Sequence, residues 1–401
     1  RGHSAARNTR VAAVCPHTLK EEIMKIALIC TEKLPVPAIS GGAIQIYIDG
    51  ILPVLSMYHD ITVFSLQSSK LPATETAGNV RHVRIQGRTR HEYLNSLKRV
   101  ISGEYRLIHV FNRPVWIPSL SPLAPDSAFS LSLHNEMFLP KKIDPEKAQN
   151  CIDRVSFITT VSRFIADGVK NLYPSAENKL NVVYSGADIS QYKPFWSQEA
   201  IEERNAMRTR FGINDHKVIL YVGRLSSKKG AHILLQAMKR VTEKHPRTAV
   251  VFVGSKWYGT NATDDYVRQL QLAAEELKDL VIFTGFLPPR EIPRYYNLGD
   301  IFTCVSQWKE PLARVHYEAM AAGLPIITTN RGGNAEVITH GVNGLVIEDY
   351  NNPEALADNI IYLIEHPDAA MDMGRTGRQL AEEKYNLDRT AYQLLELFEK
   401  I

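Results

Sequence analysis

Cysteine is scarce in this chain, with four among 401 residues. Cys15, Cys30, Cys151 and Cys304 stand far apart, with no C-x-x-C pair and no neighbouring histidine cluster. That spacing excludes a disulfide framework and a zinc site, and it fits a reducing cytoplasm. No apolar run approaches the roughly 18 residues that a membrane-spanning helix needs. No D-x-D triplet occurs, which argues against a metal-bridged diphosphate; Asp264-Asp265 is not one. Neither sign of charge dominates. The formal net charge is +4 with 22% charged residues, short of the clustered excess with which nucleic-acid binders release counterions. An anionic small molecule or an anionic surface is the expected partner class, and nucleic acid is not. What the chain does have is 44% hydrophobic residues and length for two globular domains of roughly 150–200 residues each.

The first 23 residues read differently from the rest. Arg1 to Thr9 is polar and contains arginine, and the stretch up to Ile23 lacks the apolar core of about 7–15 residues that marks a secretory signal. Lys20-Glu21-Glu22-Ile23-Met24 is what a purine-rich ribosome-binding site followed by a start codon would encode if translated in frame. Residues 1–23 are therefore expected to be a translated leader or artificial extension, with a genuine extension as the alternative.

From Met24 onward, short β-branched apolar runs alternate with helical segments. The runs are Lys25–Cys30, Asp60–Ser65, Val80–Ile85, Leu107–Phe111, Phe129–Leu133, Phe157–Val161 and Asn181–Tyr184. A second series follows at Val218–Val222, Ala249–Val253, Leu280–Thr284, Ile301–Val305 and Pro325–Thr328. Such alternation predicts parallel sheets covered on both faces, hence an α/β chain of two Rossmann-like domains. Between the series, the Gly- and Pro-containing stretch from Ser185 to Trp196 ends the pattern, which sets the domains at 24–195 and 196–380, with a terminal helix over 381–401. No internal repeat interrupts either half. Two such domains face each other across a cleft, the default place for a ligand.

Two constellations suit that cleft. Gly223-Arg224-Leu225 leaves a strand and runs through Lys228-Lys229-Gly230 into a helix. Glycine allows close backbone approach, and the helix start together with Arg and Lys favours phosphate. Solvated basic residues beside a helix are the plain alternative. The second runs from Glu310 through Leu312-Ala313-Arg314-Val315 to Glu318 and Gly323. Its two carboxylates are about 2.2 helical turns apart and suit the hydroxyls of a sugar and a ribose. Paired carboxylates also fit a glycosidase, but the phosphate-type loop nearby favours a nucleotide sugar.

These motifs, in order, resemble the retaining GT-B glycosyltransferases of family 4, the glycosyl transferases group 1. The resemblance runs from Met24 to the C-terminus, and the segment Gln307–Gly323 is most similar to bacterial spore-coat SA-like members. It implies that Arg224 and Lys229 bind the donor diphosphate, that Glu310 meets the donor sugar and Glu318 the ribose, and that His134 in Leu133-His134-Asn135-Glu136 is the active-site histidine. It implies that Gly41-Gly42 and Gly223 approach the phosphates, with Leu312, Ala313, Arg314 and Val315 lining the donor site. A metal-independent, retaining hexosyl transfer from a UDP-sugar is implied, with no cofactor, and with the terminal helix crossing back to the first domain. Arg224, Lys229, Glu310 and His134 form the expected catalytic set. The acceptor is a glycan, a lipid-linked molecule or a small molecule. The location is cytoplasmic, peripheral at the inner membrane, or spore-coat associated.

Some positions depart from the family pattern. Leu312-Ala313-Arg314 replaces the usual Phe-Gly-Leu/Met, and Ser185 stands where Asn is common. Ala313 still leaves a backbone N–H for phosphate. Arg314 reads as an extra phosphate ligand, a subgroup feature or a surface arginine. His316 is taken as structural. Gly332-Gly333 reads as a turn requiring positive φ, and the helix-like start Glu336-Val337-Ile338 after it is expected to face the donor. Arg81, Arg84, Arg88, Arg90, Lys98, Arg99 and Arg106 form a candidate surface for an anionic lipid, polymer or glycan, with a solvated face as the alternative. Two further functions stay open: a nucleotide-sugar 2-epimerase, and a non-catalytic spore-coat protein of the same fold.

Overall fold

The computed structural model describes residues 22–256 and 263–401; most of the expected leader, 1–21, lies outside them. The first domain is an eight-stranded sheet in the order β3-β4-β2-β1-β5-β6-β7-β8. Its strands are β1 (Lys25–Ile29), β2 (Asp60–Leu66), β3 (Thr74–Ala77), β4 (Val80–Ile85), β5 (Leu107–Phe111), β6 (Ala128–Leu133), β7 (Val155–Thr160) and β8 (Leu180–Val182). All pair in parallel except β3, which runs antiparallel to β4. Central strands such as β5 are buried along their whole length, as expected where helices cover both faces.

The second domain is an all-parallel sheet in the order β11-β10-β9-β12-β13-β14. Its strands are β9 (Lys217–Val222), β10 (Thr248–Val253), β11 (Val281–Phe283), β12 (Ile301–Cys304), β13 (Ile326–Thr329) and β14 (Gly344–Ile347). In each sheet the strand order reverses beside the first strand, between β1 and β5 and between β9 and β12. In open α/β sheets, ligand crevices form outside the carboxyl ends of strands at such reversals. Sheet topology alone therefore places two crevices.

Two expectations shift. The chain crosses between domains at Tyr184–Ala187, earlier than 195/196, because Ala187 and Tyr192 already pack in the second domain's core. The terminal segment is also not one helix. Helix Pro367–Glu383 ends on the second domain, and after Lys384–Asn386 a new helix, Leu387–Phe398, begins with Asn386 as its cap. Leu387, Ala391, Leu394, Leu395 and Phe398 of that helix join Ile44, Tyr47, Ile48 and Ile51 of helix Ala43–Tyr58 in one first-domain core.

The candidate anionic-binding face is thinner than its sequence suggests. Arg84 is buried, donating to the carbonyls of Val36 and Pro72 at 3.2 and 2.6 Å and pairing with Glu75. Leu97 and Ile101 face the core. Among the described residues no helix is long and apolar enough to cross a membrane.

Candidate functional site

The strand ends of both domains open into one cleft of about 2470 Å³. It is lined by His134, Gly41, Gly42, Gly223, Arg224, Lys229, Glu310, Leu312, Ala313, Arg314, Val315 and Glu318, so the residues singled out by spacing and by the family resemblance line one cleft. Gly332, Gly333 and Glu336 do not line it.

On the second domain's side, β9 delivers Gly223 and Arg224, whose carbonyl accepts from the Tyr221 hydroxyl at 2.9 Å. The turn over Lys228–Gly230 is held against the end of β12 by the Gln307 N–H, which donates to the Lys228 carbonyl at 2.8 Å. Gly230 is obligatory there. It has φ 76°, and a Cβ would lie 1.9 Å from the Val305 carbonyl oxygen. This close packing brings the Lys229 ammonium onto Glu310 Oε1 as an ion pair. Ser306 Oγ donates to the same oxygen at 2.8 Å. Burial opposes ionisation of Glu310, but the Lys229 charge and these hydrogen bonds outweigh it and hold its carboxyl below the usual value. The Glu310 backbone is fixed as well: its carbonyl accepts the Gly333 N–H at 2.8 Å. The Tyr296 hydroxyl donates to Glu318 Oε2 at 2.8 Å. Ser306 and Tyr296 escaped the sequence reading, although Ser306 has a visible signal, four positions before Glu310 at a strand end.

Three expectations are corrected here. The Ala313 N–H is not left for phosphate; it donates to Asn334 Oδ1 at 3.1 Å. Arg314 lines the cleft and is not a surface arginine: its nearly buried guanidinium donates through Nη1 to Ser185 Oγ at 3.1 Å and to the Gly186 carbonyl at 3.2 Å. Glu336 does not face the donor. Its carboxylate accepts the N–H groups of Arg163 and Phe164, both at 2.7 Å, and the Tyr184 hydroxyl at 2.9 Å. It thus caps helix Arg163–Leu172 of the other domain, where orphan N–H groups and the helix dipole favour a negative charge.

On the first domain's side, Gly41 and Gly42 adopt φ 89° and 101° at the start of helix Ala43–Tyr58. The Asp49 carboxylate of that helix reaches back to accept the Ala38 N–H at 2.6 Å, tying the glycine loop to its own helix. At the end of β6, His134 is held by its backbone N–H to Asn112 Oδ1 at 2.7 Å and by Nε2 to Ser132 Oγ at 3.1 Å. Burial pushes its pKa down to about 3, so the imidazole is neutral at physiological pH. His316, between Glu310 and Glu318 in the sequence, is fully buried, bonded to the Ala313 carbonyl at 2.9 Å and Thr328 Oγ1 at 2.8 Å. Arg113 is locked to Glu32 by two bonds of 2.7 and 2.8 Å. Among the described residues no group of three or more His, Cys, Asp or Glu side chains is placed to hold a metal ion.

The chain is similar to known proteins. Residues 203–380 match the family model described as glycosyl transferases group 1. Spore coat protein SA of Bacillus subtilis is 46% identical over 378 residues, covering 94% of this chain and 100% of the relative. A GDP-mannose-dependent alpha-(1-6)-phosphatidylinositol monomannoside mannosyltransferase of Mycolicibacterium smegmatis is 24% identical over 380 residues, 89% of this chain and 94% of the relative. Among solved structures, Anabaena HepE in complex with UDP-glucose superimposes with a TM-score of 0.77 at 21% identity, over 94% of this chain and 100% of that one. That likeness speaks for the fold, the two-domain GT-B arrangement.

Proposed function

Because the chain belongs to the glycosyl transferases group 1 family, we propose that it moves a hexosyl group from a UDP-sugar to an acceptor with retention of configuration and without a metal ion. The observation that carries this reading is the Lys229–Glu310 pair, set in the cleft between the domains beside Arg224 and the start of helix Ala231–Lys244. Arg224 and Lys229 supply positive charge where a departing diphosphate gains negative charge, the electrostatic contribution that dominates many such sites. Glu310 takes the sugar hydroxyls and Glu318 the ribose. The acceptor oxygen bonds the anomeric carbon on the face from which the diphosphate leaves, and the acceptor's proton passes to the departing phosphate oxygen. No enzyme carboxylate then needs to bond the sugar. His134, neutral, suits a hydrogen bond at the donor sugar and not proton transfer.

A screen of UDP-, GDP- and ADP-sugars by thermal shift and hydrolysis tests the reading, since ligand binding stabilises the fold by mass action. A UDP-sugar should raise Tm and be slowly hydrolysed, and Glu310→Ala and Lys229→Ala should do neither. A second reading, a non-catalytic protein of the spore coat, is supported by the relative's name and by the occupied Ala313 N–H. Absence of both effects with all three donors would favour it. A place at the spore coat or peripheral to a membrane is compatible with either reading.

A further inference from the structure

Arg314 stands where the donor-site loop turns into helix Val315–Ala321, and its guanidinium reaches in two directions. Nη2 lies 3.6 Å from Glu318 Oε1, with both side chains nearly buried. Nη1 donates to Ser185 Oγ and the Gly186 carbonyl, which belong to the crossing between domains. The same crossing is gripped from the opposite side. Arg389, on the terminal helix that packs on the first domain, donates to the Tyr184 carbonyl at 2.6 Å, and the Ala187 N–H donates to the Tyr385 carbonyl at 3.0 Å. There is no slack at Gly186, where a Cβ would lie 2.5 Å from the backbone of Asn386. A guanidinium is a rigid plane, so Nη1 cannot follow the linker without moving Nη2 against Glu318. The two departures from the family pattern noted above, Arg314 and Ser185, are therefore in contact with each other.

We propose that Arg314 is a positioning residue that couples the hold of Glu318 on the donor to the position of the interdomain linker. The inference rests on the donor reading above and names how that site communicates with the hinge. Coupling of this kind is reciprocal: whatever orders Glu318 also orders Ser185–Ala187, and a displaced linker weakens donor binding.

Amide hydrogen exchange with and without UDP, together with calorimetric UDP affinity, tests it. In the wild type, UDP should slow exchange both in the loop 223–230 and in the linker 185–187. Arg314→Lys keeps the charge but cannot span both contacts. It should retain protection at 223–230, lose it at 185–187, and bind UDP on the order of tenfold more weakly. Ser185→Ala removes only the linker hydroxyl and should lower linker protection while sparing the loop, which keeps the test open should Arg314→Lys fail to fold. Linker protection that is unchanged in either folded variant overturns the proposal. If UDP, GDP and ADP all leave loop 223–230 unprotected in the wild type, the donor reading falls and takes this inference with it, a result distinct from a protected loop with an indifferent linker.

Discussion

On the first domain's side of the cleft, the strand ends and the helix that follows contribute a glycine loop, a neutral histidine, an arginine paired with Glu32, and the charged side chains of Lys33 and Asp49. On the second domain's side, equivalent strand ends contribute Arg224, Lys229, Glu310 and Glu318. The two sheets share a topology at their reversal points, so topology does not account for the difference. The backbone places loops over a crevice, and the residue types on those loops decide what charge each face carries. The second domain's face, with Arg224 and the Lys229–Glu310 pair at the start of a helix, suits a diphosphate sugar. The first domain's face, with its glycine loop and neutral histidine, leaves the acceptor to be chosen more by shape and by hydrogen bonds.

Removing charge from the second face should have the largest effect. In Lys229→Met, Glu310 stays buried without its ion partner, a situation that costs about 3–5 kcal/mol, and hydrolysis of a UDP-sugar should fall on the order of 100-fold or more. Urea unfolding and single-donor hydrolysis would measure the two. A variant as stable and active as the wild type would show that the Lys229–Glu310 pair does not distinguish the faces.

Next in size is the contact that joins the two domains outside the cleft. Glu336→Gln keeps its shape but loses the charge capping helix Arg163–Leu172, so stability should drop by about 1 kcal/mol while UDP affinity stays within about twofold of the wild type. Thermal melts and calorimetry would check this. A large loss of UDP affinity would instead place Glu336 at the donor.

Acid should act more on the first domain than on the second. Burial holds His109 and His134 down to about 3, and His316 in the second domain to about 4. Below their ordinary value of 6.5, the unfolded chain binds protons that the folded one refuses. Stability from these three groups is therefore complete above about pH 6.5 and falls as pH drops towards 4. Melts between pH 7.5 and 5 should show that slope, and His109→Asn should make it shallower.

Much of this molecule was legible in its sequence, and the parts that were not share a physical cause. Strands such as β1 and β9 are nearly continuous apolar runs, the second ended by Gly223, so composition alone reveals them. β3, an exposed polar Thr-Glu-Thr-Ala, and β14, which opens on glycine, carry no such signal; each exists because a neighbouring strand supplies a partner. The Glu310–Glu318 spacing is local and was readable. Glu336 was misplaced because its partners, Arg163 and Phe164, lie 173 and 172 positions away. The Ser185–Arg314 contact spans 129 positions. A single sequence reports periodicity within an element, but not which surfaces the elements bring together.

Asp49 gives the smallest effect and the finest test of the first domain's face. It is half-buried beside the glycine loop, and burial raises its pKa from 3.8 to about 6 despite the hydrogen bond from the Ala38 N–H. A folded-state pKa above the unfolded one means that folding favours the protonated form. Its unfavourable contribution is absent below about pH 4, grows as pH rises, and is complete above about 6. This sign opposes that of the histidines. Asn can accept the same Ala38 N–H without a charge, so Asp49→Asn should raise Tm by a few degrees at pH 8, about 1 kcal/mol after allowance for partial solvent exposure, and change it little at pH 4. A lower Tm at pH 8 would mean that the ionised carboxylate itself holds the glycine loop in place, and that the first domain's face depends on charge after all.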